Sequence, residues 1–219
     1  MAGNYVFDAY GTLFDVHAAA LRHAAAIGPE WQRLSQLWRT KHLEYTWVHA
    51  LSGRPASFWS LAEQSLDYAI AAVGGGVPAE TRAKLLAAYR TMDAYPETRE
   101  VLGALRARGG RLAILSNGDP DMLAEAVEAA GLQGSFEAVL SVAAAGSFKP
   151  APAVYRLATA HFACAPAAVS FQSSNRWDIA GAKAFGLRCV WINRTRAPDE
   201  YPGLPPDRVV SDLGGLLTP

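Results

Sequence analysis

Residues able to do chemistry stand at the ends of four apolar runs. Asp8 closes the run in YVFDAYGTLFD (5–15) and is followed by Gly11 and Thr12. Ser116-Asn117-Gly118-Asp119 closes a second run, Lys149 in SFKP follows a third, and SSNRWD, from Ser173 through Asn175 and Trp177 to Asp178, follows a fourth. These ends supply a carboxylate that can act as nucleophile or acid, hydroxyl and amide donors, a cation and a second acid. Singly, each has a structural explanation. Asp8 can close a turn, Ser116 and Asn117 can cap a helix starting near Pro120, Lys149-Pro150 can open a helix, and Asp178 suits a helix first turn. Their joint placement argues for a site, because ligands of open parallel sheets bind beyond the carboxyl ends of the strands.

The runs themselves read as buried strands at 5–8, 111–116, 138–142, 169–173 and 188–193, each bounded by turn residues. Helical patterns at 97–108, 120–131, 151–162 and 177–186 alternate with them. That alternation predicts an α/β fold, a doubly wound Rossmann-like parallel sheet. Residues 16–91 break the alternation: aromatic and leucine residues recur at helical spacing through 31–51 and 58–73, and GGG (74–76) precedes a further helix. The expected organisation is a catalytic core of residues 1–15 and 92–219 with a helical cap inserted at 16–91.

At 219 residues the chain can bury one sizeable core plus such an insertion. Its 20 basic and 20 acidic residues cancel, and no block of like charge stands out, which argues against nucleic acid or an anionic membrane as partner. Two cysteines, Cys164 and Cys189, do not make a disulfide framework. With no basic-then-apolar leader and no apolar stretch of bilayer length, the expectation is a soluble, cytoplasmic protein.

DAYGT (8–12), LSNG (115–118), FKP (148–150) and SSNRWD (173–178) resemble the four motifs of the haloacid dehalogenase superfamily, in the form of its L-2-haloacid dehalogenase branch. LWRTKHLEYTWVHAL (37–51) and GRPASFWSLAEQSLDYA (53–69) resemble that branch's helical cap. The likeness covers most of the chain and thins after about residue 193. It implies that Asp8 is the nucleophile, that Thr12 and Ser173 orient its carboxylate, and that Lys149 balances its charge. Arg39 and Asn117, with Trp177 nearby, would receive the leaving halide. Ser116 and neighbouring backbone would bind the substrate carboxylate, with Ala9 and Tyr10 lining the pocket. Tyr155, Asn175 and Asp178 would complete the site and prepare the hydrolytic water.

The implied reaction opens a 2-haloalkanoate through an aspartyl ester on Asp8 with inversion, and releases a 2-hydroxy acid and halide. The implied assembly is a homodimer through the cap. A second acid at position 10 would mark the superfamily's phosphatases; Tyr10 stands there instead, and SSNRWD offers only Asp178 to a hard cation. The expectation is therefore no metal and no cofactor. Halide leaves without a proton, so a lone carboxylate backed by cations and dipoles suffices. Lys149 has a physical reason to be present, since a neighbouring cation favours the ionised form of an enclosed carboxylate, while two acids close together titrate as a coupled set.

By pattern alone, Arg39 beside Trp31, Leu34, Trp38 and Tyr45 equally fits a solvated flank whose stem covers apolar surface. Among the cap aromatics Trp31, Trp38, Trp47, Phe58 and Trp59, the last two are the candidates to face the pocket. Arg176 is expected to point to solvent. Two alternatives stand beside the leading one: a magnesium-dependent phosphatase or phosphonatase of the same fold, and a non-catalytic protein holding a small carboxylate.

Overall fold

Short apolar runs become strands, those in the middle of the sheet largely buried on both faces and the edge strands half-exposed. In the computed structural model, which describes residues 3–218, these are β1 (Asn4–Phe7), β2 (Arg111–Ser116), β3 (Ala138–Ser141), β4 (Val169–Ser173) and β5 (Arg188–Ile192), with a sixth, β6 (Arg208–Val210). All pairings are parallel, and the sheet order is β3-β2-β1-β4-β5-β6. Phe7 sits beside Ile114 on one side and Gln172 on the other. The direction of winding reverses between β1 and β4, which opens a crevice beyond their carboxyl ends. Asp8 and Ser173 stand at that crevice. Residues 1, 2 and 219 of the expected core lie outside the described residues.

Nine helices are found among the described residues. The insertion carries α1 (Ala18–Arg22), α2 (Ala24–Ile27), α3 (Trp31–Ser52), α4 (Phe58–Ala72) and α5 (Ala79–Arg90). The core carries α6 (Thr98–Ala107), α7 (Pro120–Ala129), α8 (Pro152–Phe162) and α9 (Arg176–Phe185). Each core helix buries one stripe; α8 buries Val154, Tyr155, Ala158 and Phe162. The helix expected from residue 151 begins at Pro152, so Pro150 precedes it. No helix among the described residues is long and apolar enough to cross a membrane.

α3 and α4 form a helical hairpin. Gly53, in the left-handed region, ends α3, and the Ser57 hydroxyl accepts the Ser60 N–H to start α4. The indole of Trp38 donates to the Ala62 carbonyl at 2.9 Å and locks the pair. Between them His42 is fully buried, its Nε2 3.0 Å from the Phe58 carbonyl and its Nδ1 3.3 Å from the Tyr89 hydroxyl. Burial first, then the charge of Arg39, drive its pKa down to about 3 despite the Phe58 hydrogen bond, so His42 is neutral.

Candidate active site

The nucleophile candidate is set by a tight curl. After β1 the chain turns so that the N–H groups of Thr12, Leu13 and Phe14 all donate to the Ala9 carbonyl. Gly11 makes this possible at φ +90°, a conformation that penalises a side chain. The curl returns Thr12 to Asp8, and the Thr12 hydroxyl donates to Asp8 Oδ2 at 2.9 Å. The backbone after β4 orients the donors in turn: Ser174 N–H donates to Thr12 Oγ1 at 2.8 Å, and Asn175 N–H to Ser173 Oγ at 3.1 Å. Asn175 Nδ2 gives Asp8 Oδ2 a second donor at 2.8 Å, and the Ser173 hydroxyl a long third at 3.5 Å.

Asp8 Oδ1 faces a different partner. Lys149 Nζ, fully buried, stands 3.0 Å from it and 2.8 Å from Asp178 Oδ2. One ammonium therefore bridges two carboxylates. Burial pushes the Asp178 carboxyl up to about 6; Lys149 holds it down and the Asp8 charge pushes it up. Burial also opposes the charge on Lys149, but its two carboxylate partners outweigh it and raise the ammonium's pKa. Among the described residues, no three His, Cys, Asp or Glu side chains gather to hold a metal ion.

Tyr155 fixes the second acid. Its hydroxyl donates at 2.7 Å to Asp178 Oδ1 and lies 3.1 Å from the Asp178 carbonyl. This contact between α8 and α9 requires Gly181, where a Cβ would stand 2.6 Å from the Tyr155 oxygen. Arg39 reaches in from α3, its Nη2 donating at 3.2 Å to the Tyr10 carbonyl and at 3.2 Å to Asn175 Oδ1. Arg39 has no carboxylate partner among the described residues, so its charge remains available to an anion. The solvated-flank alternative is not what the structure displays.

The remaining candidates surround this cluster. Ser116 is buried at the end of β2; its Oγ accepts the Gly118 N–H at 3.2 Å, leaving its O–H to donate elsewhere. Asn117 Oδ1 accepts the Lys149 N–H at 3.0 Å, tying two strand ends together. Neither caps α7. Ala9 is buried in the curl, and Tyr10 packs under the cap, stacked on Tyr89 at 5.7 Å and tilted against Phe58 at 5.3 Å. The Tyr10 hydroxyl is buried with no partner among the described residues. Trp177 is half-buried, edge-on to Trp47 of the cap at 5.5 Å. A cleft of about 460 Å³ lies between the α3–α4 turn and the 142–148 segment, lined by His49, Arg54, Ser57, Ser147 and Phe148 among others. Asp8 does not line it; the carboxylates lie in the enclosed space beneath the cap, and the chemistry is placed there on their geometry.

One expectation is corrected. Arg176 does not point to solvent: only 5% exposed, it donates to Asp199 at 2.6 Å and to the Leu204 carbonyl at 3.0 Å. The segment after β5 folds back over the fourth motif and supplies acceptors that a buried guanidinium requires. Two further residues, outside the expected site set, bear on the site. Arg194 donates to the Thr12 carbonyl at 3.0 Å and pairs with Glu97 at 2.7 Å, bracing the curl around the nucleophile. The strand-end rule, applied to the fifth strand as to the other four, points at it. Asp119 accepts from two backbone amides of the cap.

Fold and cluster together are those of a hydrolase with a Rossmann-like α/β core organised around a strand-end carboxylate. The chain belongs to the haloacid dehalogenase-like hydrolases, whose family model matches residues 4–186. It is 44% identical to (S)-2-haloacid dehalogenase 1 of Pseudomonas sp. (strain CBS-3), over 96% of this chain and 93% of that protein. It is 39% identical to (S)-2-haloacid dehalogenase 4A of Burkholderia cepacia, over 96% and 91%. The solved structure of L-2-haloacid dehalogenase from Xanthobacter autotrophicus with chloropropionic acid covalently bound superposes with a TM-score of 0.89 at 38% identity, covering 99% of this chain and 97% of that one.

Proposed function

We propose that this protein hydrolyses L-2-haloalkanoic acids to D-2-hydroxyalkanoic acids, as an (S)-2-haloacid dehalogenase. The observation that carries the reading is Lys149 Nζ held between Asp8 and Asp178, with the unpaired cation Arg39 on the far side of Asn175. Asp8 Oδ2 is anchored by Thr12 and Asn175, while Oδ1 meets only Lys149 and keeps a lone pair for attack. Oδ1 attacks the alpha carbon in line with the carbon–halogen bond; the carbon–oxygen bond forms as the halide departs with the bonding pair toward Arg39. The centre inverts. The Ser116 hydroxyl and neighbouring N–H groups hold the substrate carboxylate.

The second step consumes water. Asp178 accepts a proton from it, and the hydroxide adds to the ester carbonyl carbon of Asp8. Collapse breaks the acyl–oxygen bond, and the departing alkoxide takes up the proton of the added hydroxyl and leaves as the 2-hydroxy acid. Asp8 is again a carboxylate carrying one water oxygen, and the proton on Asp178 returns to solvent. The ammonium of Lys149 stabilises charge on the carbonyl oxygen during this step. No metal takes part in the proposed cycle: the place between the two carboxylates belongs to Lys149, and Tyr10 stands where a second acid would be needed.

Two features of the surroundings fit the same reading. Val48, Leu51 and Tyr68 are exposed on α3 and α4, Leu51 at 90%, which supports a homodimer through the cap, checked by light scattering. Cys164 and Cys189 are both free, which suits a reducing cytoplasm.

The deciding assay measures halide release from each enantiomer of 2-chloropropionate in excess EDTA. Release from the L form alone, with D-lactate as product, is expected. Release from neither would refute the reaction and direct attention to magnesium-dependent phosphoester hydrolysis. Single turnover in heavy-oxygen water should label Asp8 before product; label appearing first in lactate would sink the ester route.

A further inference from the structure

The geometry points to Asp119 as a positioning residue that fastens the cap to the core and so sets where the aromatic wall of the substrate pocket stands. By backbone Asp119 is the N-cap residue of α7, yet its side chain makes no bond to that helix. The carboxylate crosses to the cap instead. Oδ1 accepts the Phe58 N–H at 3.1 Å and Oδ2 the Trp59 N–H at 2.8 Å. These are the first two N–H groups of α4, which have no partner within their own helix. A negative charge also suits that positive helix end. Ser57 covers only the Ser60 N–H, so the cap's own residues do not do this job.

A second fastening lies beside the first. Arg90 of α5 bonds Asp121 and Glu125 of α7 at 2.5 and 2.6 Å while its guanidinium lies over the Trp59 ring at 4.8 Å. That contact is at the surface, where ion pairs contribute little. Asp119 is the contact that grips the cap's backbone directly, because its carboxylate accepts from two consecutive amides.

Phe58, the first residue so held, packs against Tyr10 at 5.3 Å and against His42 at 3.9 Å. Tyr10 in turn accepts at its carbonyl from Arg39 and from Asn175, the latter also a direct donor to Asp8. Asp119 also lies two residues from Asn117, which ties the same loop to Lys149. One carboxylate thus couples the core end of the site to the cap wall. Loosening it lets Phe58 withdraw, and a pocket wall that withdraws discriminates less between short and long alkyl chains.

The test uses Asp119→Ala and Asp119→Asn in the full chain; asparagine keeps one acceptor oxygen and so one of the two bonds. Amide exchange reads the fastening without substrate. The amides of Phe58 and Trp59 are expected to be protected in the wild type, to exchange at least about ten-fold faster in Asp119→Ala and to fall between in Asp119→Asn. Kinetics, which rest on the reaction proposed above, read the pocket. The ratio of kcat/KM for L-2-chloropropionate over L-2-chlorohexanoate should fall about ten-fold in Asp119→Ala, with partial recovery in Asp119→Asn. Should the alanine variant not fold, the asparagine variant carries both readouts. Unchanged exchange at 58 and 59, or a ratio within about two-fold of wild type in folded variants, overturns the assignment. A wild-type enzyme that releases no halide refutes the reaction, and exchange still decides the fastening.

Discussion

Replacing Tyr155 by phenylalanine removes one oxygen and tests how the second acid is tuned. Asp178 is pushed up to about 6 by burial, against the pull of Lys149, and the Tyr155 hydroxyl at 2.7 Å is one of the contacts that keep it from rising further. A hydrogen bond to a charged group contributes about 1.5–3 kcal/mol. Because the hydroxyl is shared with the Asp178 carbonyl at 3.1 Å, the lower end applies. At about 1.4 kcal/mol per pH unit, the loss moves the carboxyl up by about one unit. The ionised form is the base, so ester breakdown must lose its acid side first. Rapid-quench measurement of ester breakdown against pH should show the acid limb of Tyr155→Phe about one unit above that of the wild type, with the alkaline plateau within a few-fold. A limb that stays in place, or a loss equal at every pH, would refute the tuning role of Tyr155.

Three other perturbations separate the parts of the site. Lys149→Met should lower turnover by about a thousand-fold or more while circular dichroism still reports the fold; wild-type-like rates would remove the cation from the mechanism. Arg39→Ala should slow ester formation by about 10²–10³-fold and leave ester breakdown nearly unchanged, as read by the burst of halide against the burst of hydroxy acid. His42 should make the protein acid-sensitive. Its folded pKa of about 3 lies below that of the unfolded chain, so its contribution is present above about pH 6.5 and is lost as pH falls toward 3, at most about 5 kcal/mol. Asp178 runs the opposite way, its folded value being raised, so its contribution is present at low pH and lost as pH rises through about 6. Urea unfolding at a series of pH values should show a shallower acid decline in His42→Gln than in wild type; parallel curves would mean His42 titrates normally.

How much of this could be read from residues alone follows from what each signal encodes. All five expected strands and all four core helices carry their pattern within ten or so residues, so only their ends move, as where Asp8 lies one residue past β1. α1 and α2 are short alanine runs with too few residues to display a helical period. β6 is a three-residue edge strand with a half-exposed pattern, which carries no alternation to detect. Strand-end logic locates Asp8, Lys149 and Asp178 because the sheet order places those ends at one crevice. It marks Arg176, Arg194 and Asp119 as neighbours of the site but does not give their partners at 199, 97 and 58–59, which are distant in the chain. Long-range polar pairing has no periodicity, and a charged residue beside a motif looks alike whether it turns inward or outward.

The charge balance of the site explains why two acids and two cations are arranged as they are. Before reaction, Lys149 serves both Asp8 and Asp178, and Arg39 is free for an anion. In the proposed cycle, ester formation moves the charge of Asp8 onto the halide that departs toward Arg39. Lys149 is then left to Asp178 alone. The Asp8 charge was one of the causes raising the Asp178 carboxyl, so its disappearance lowers that carboxyl at the moment a base is required. The first step of that cycle thus favours the ionised form of the base used in the second. A single acid could not do both, and a second acid beside Asp8 at position 10 would compete for the same cation. Tyr10 instead contributes a neutral ring, its hydroxyl held protonated by burial, so the balance between Lys149 and its two partners is left undisturbed.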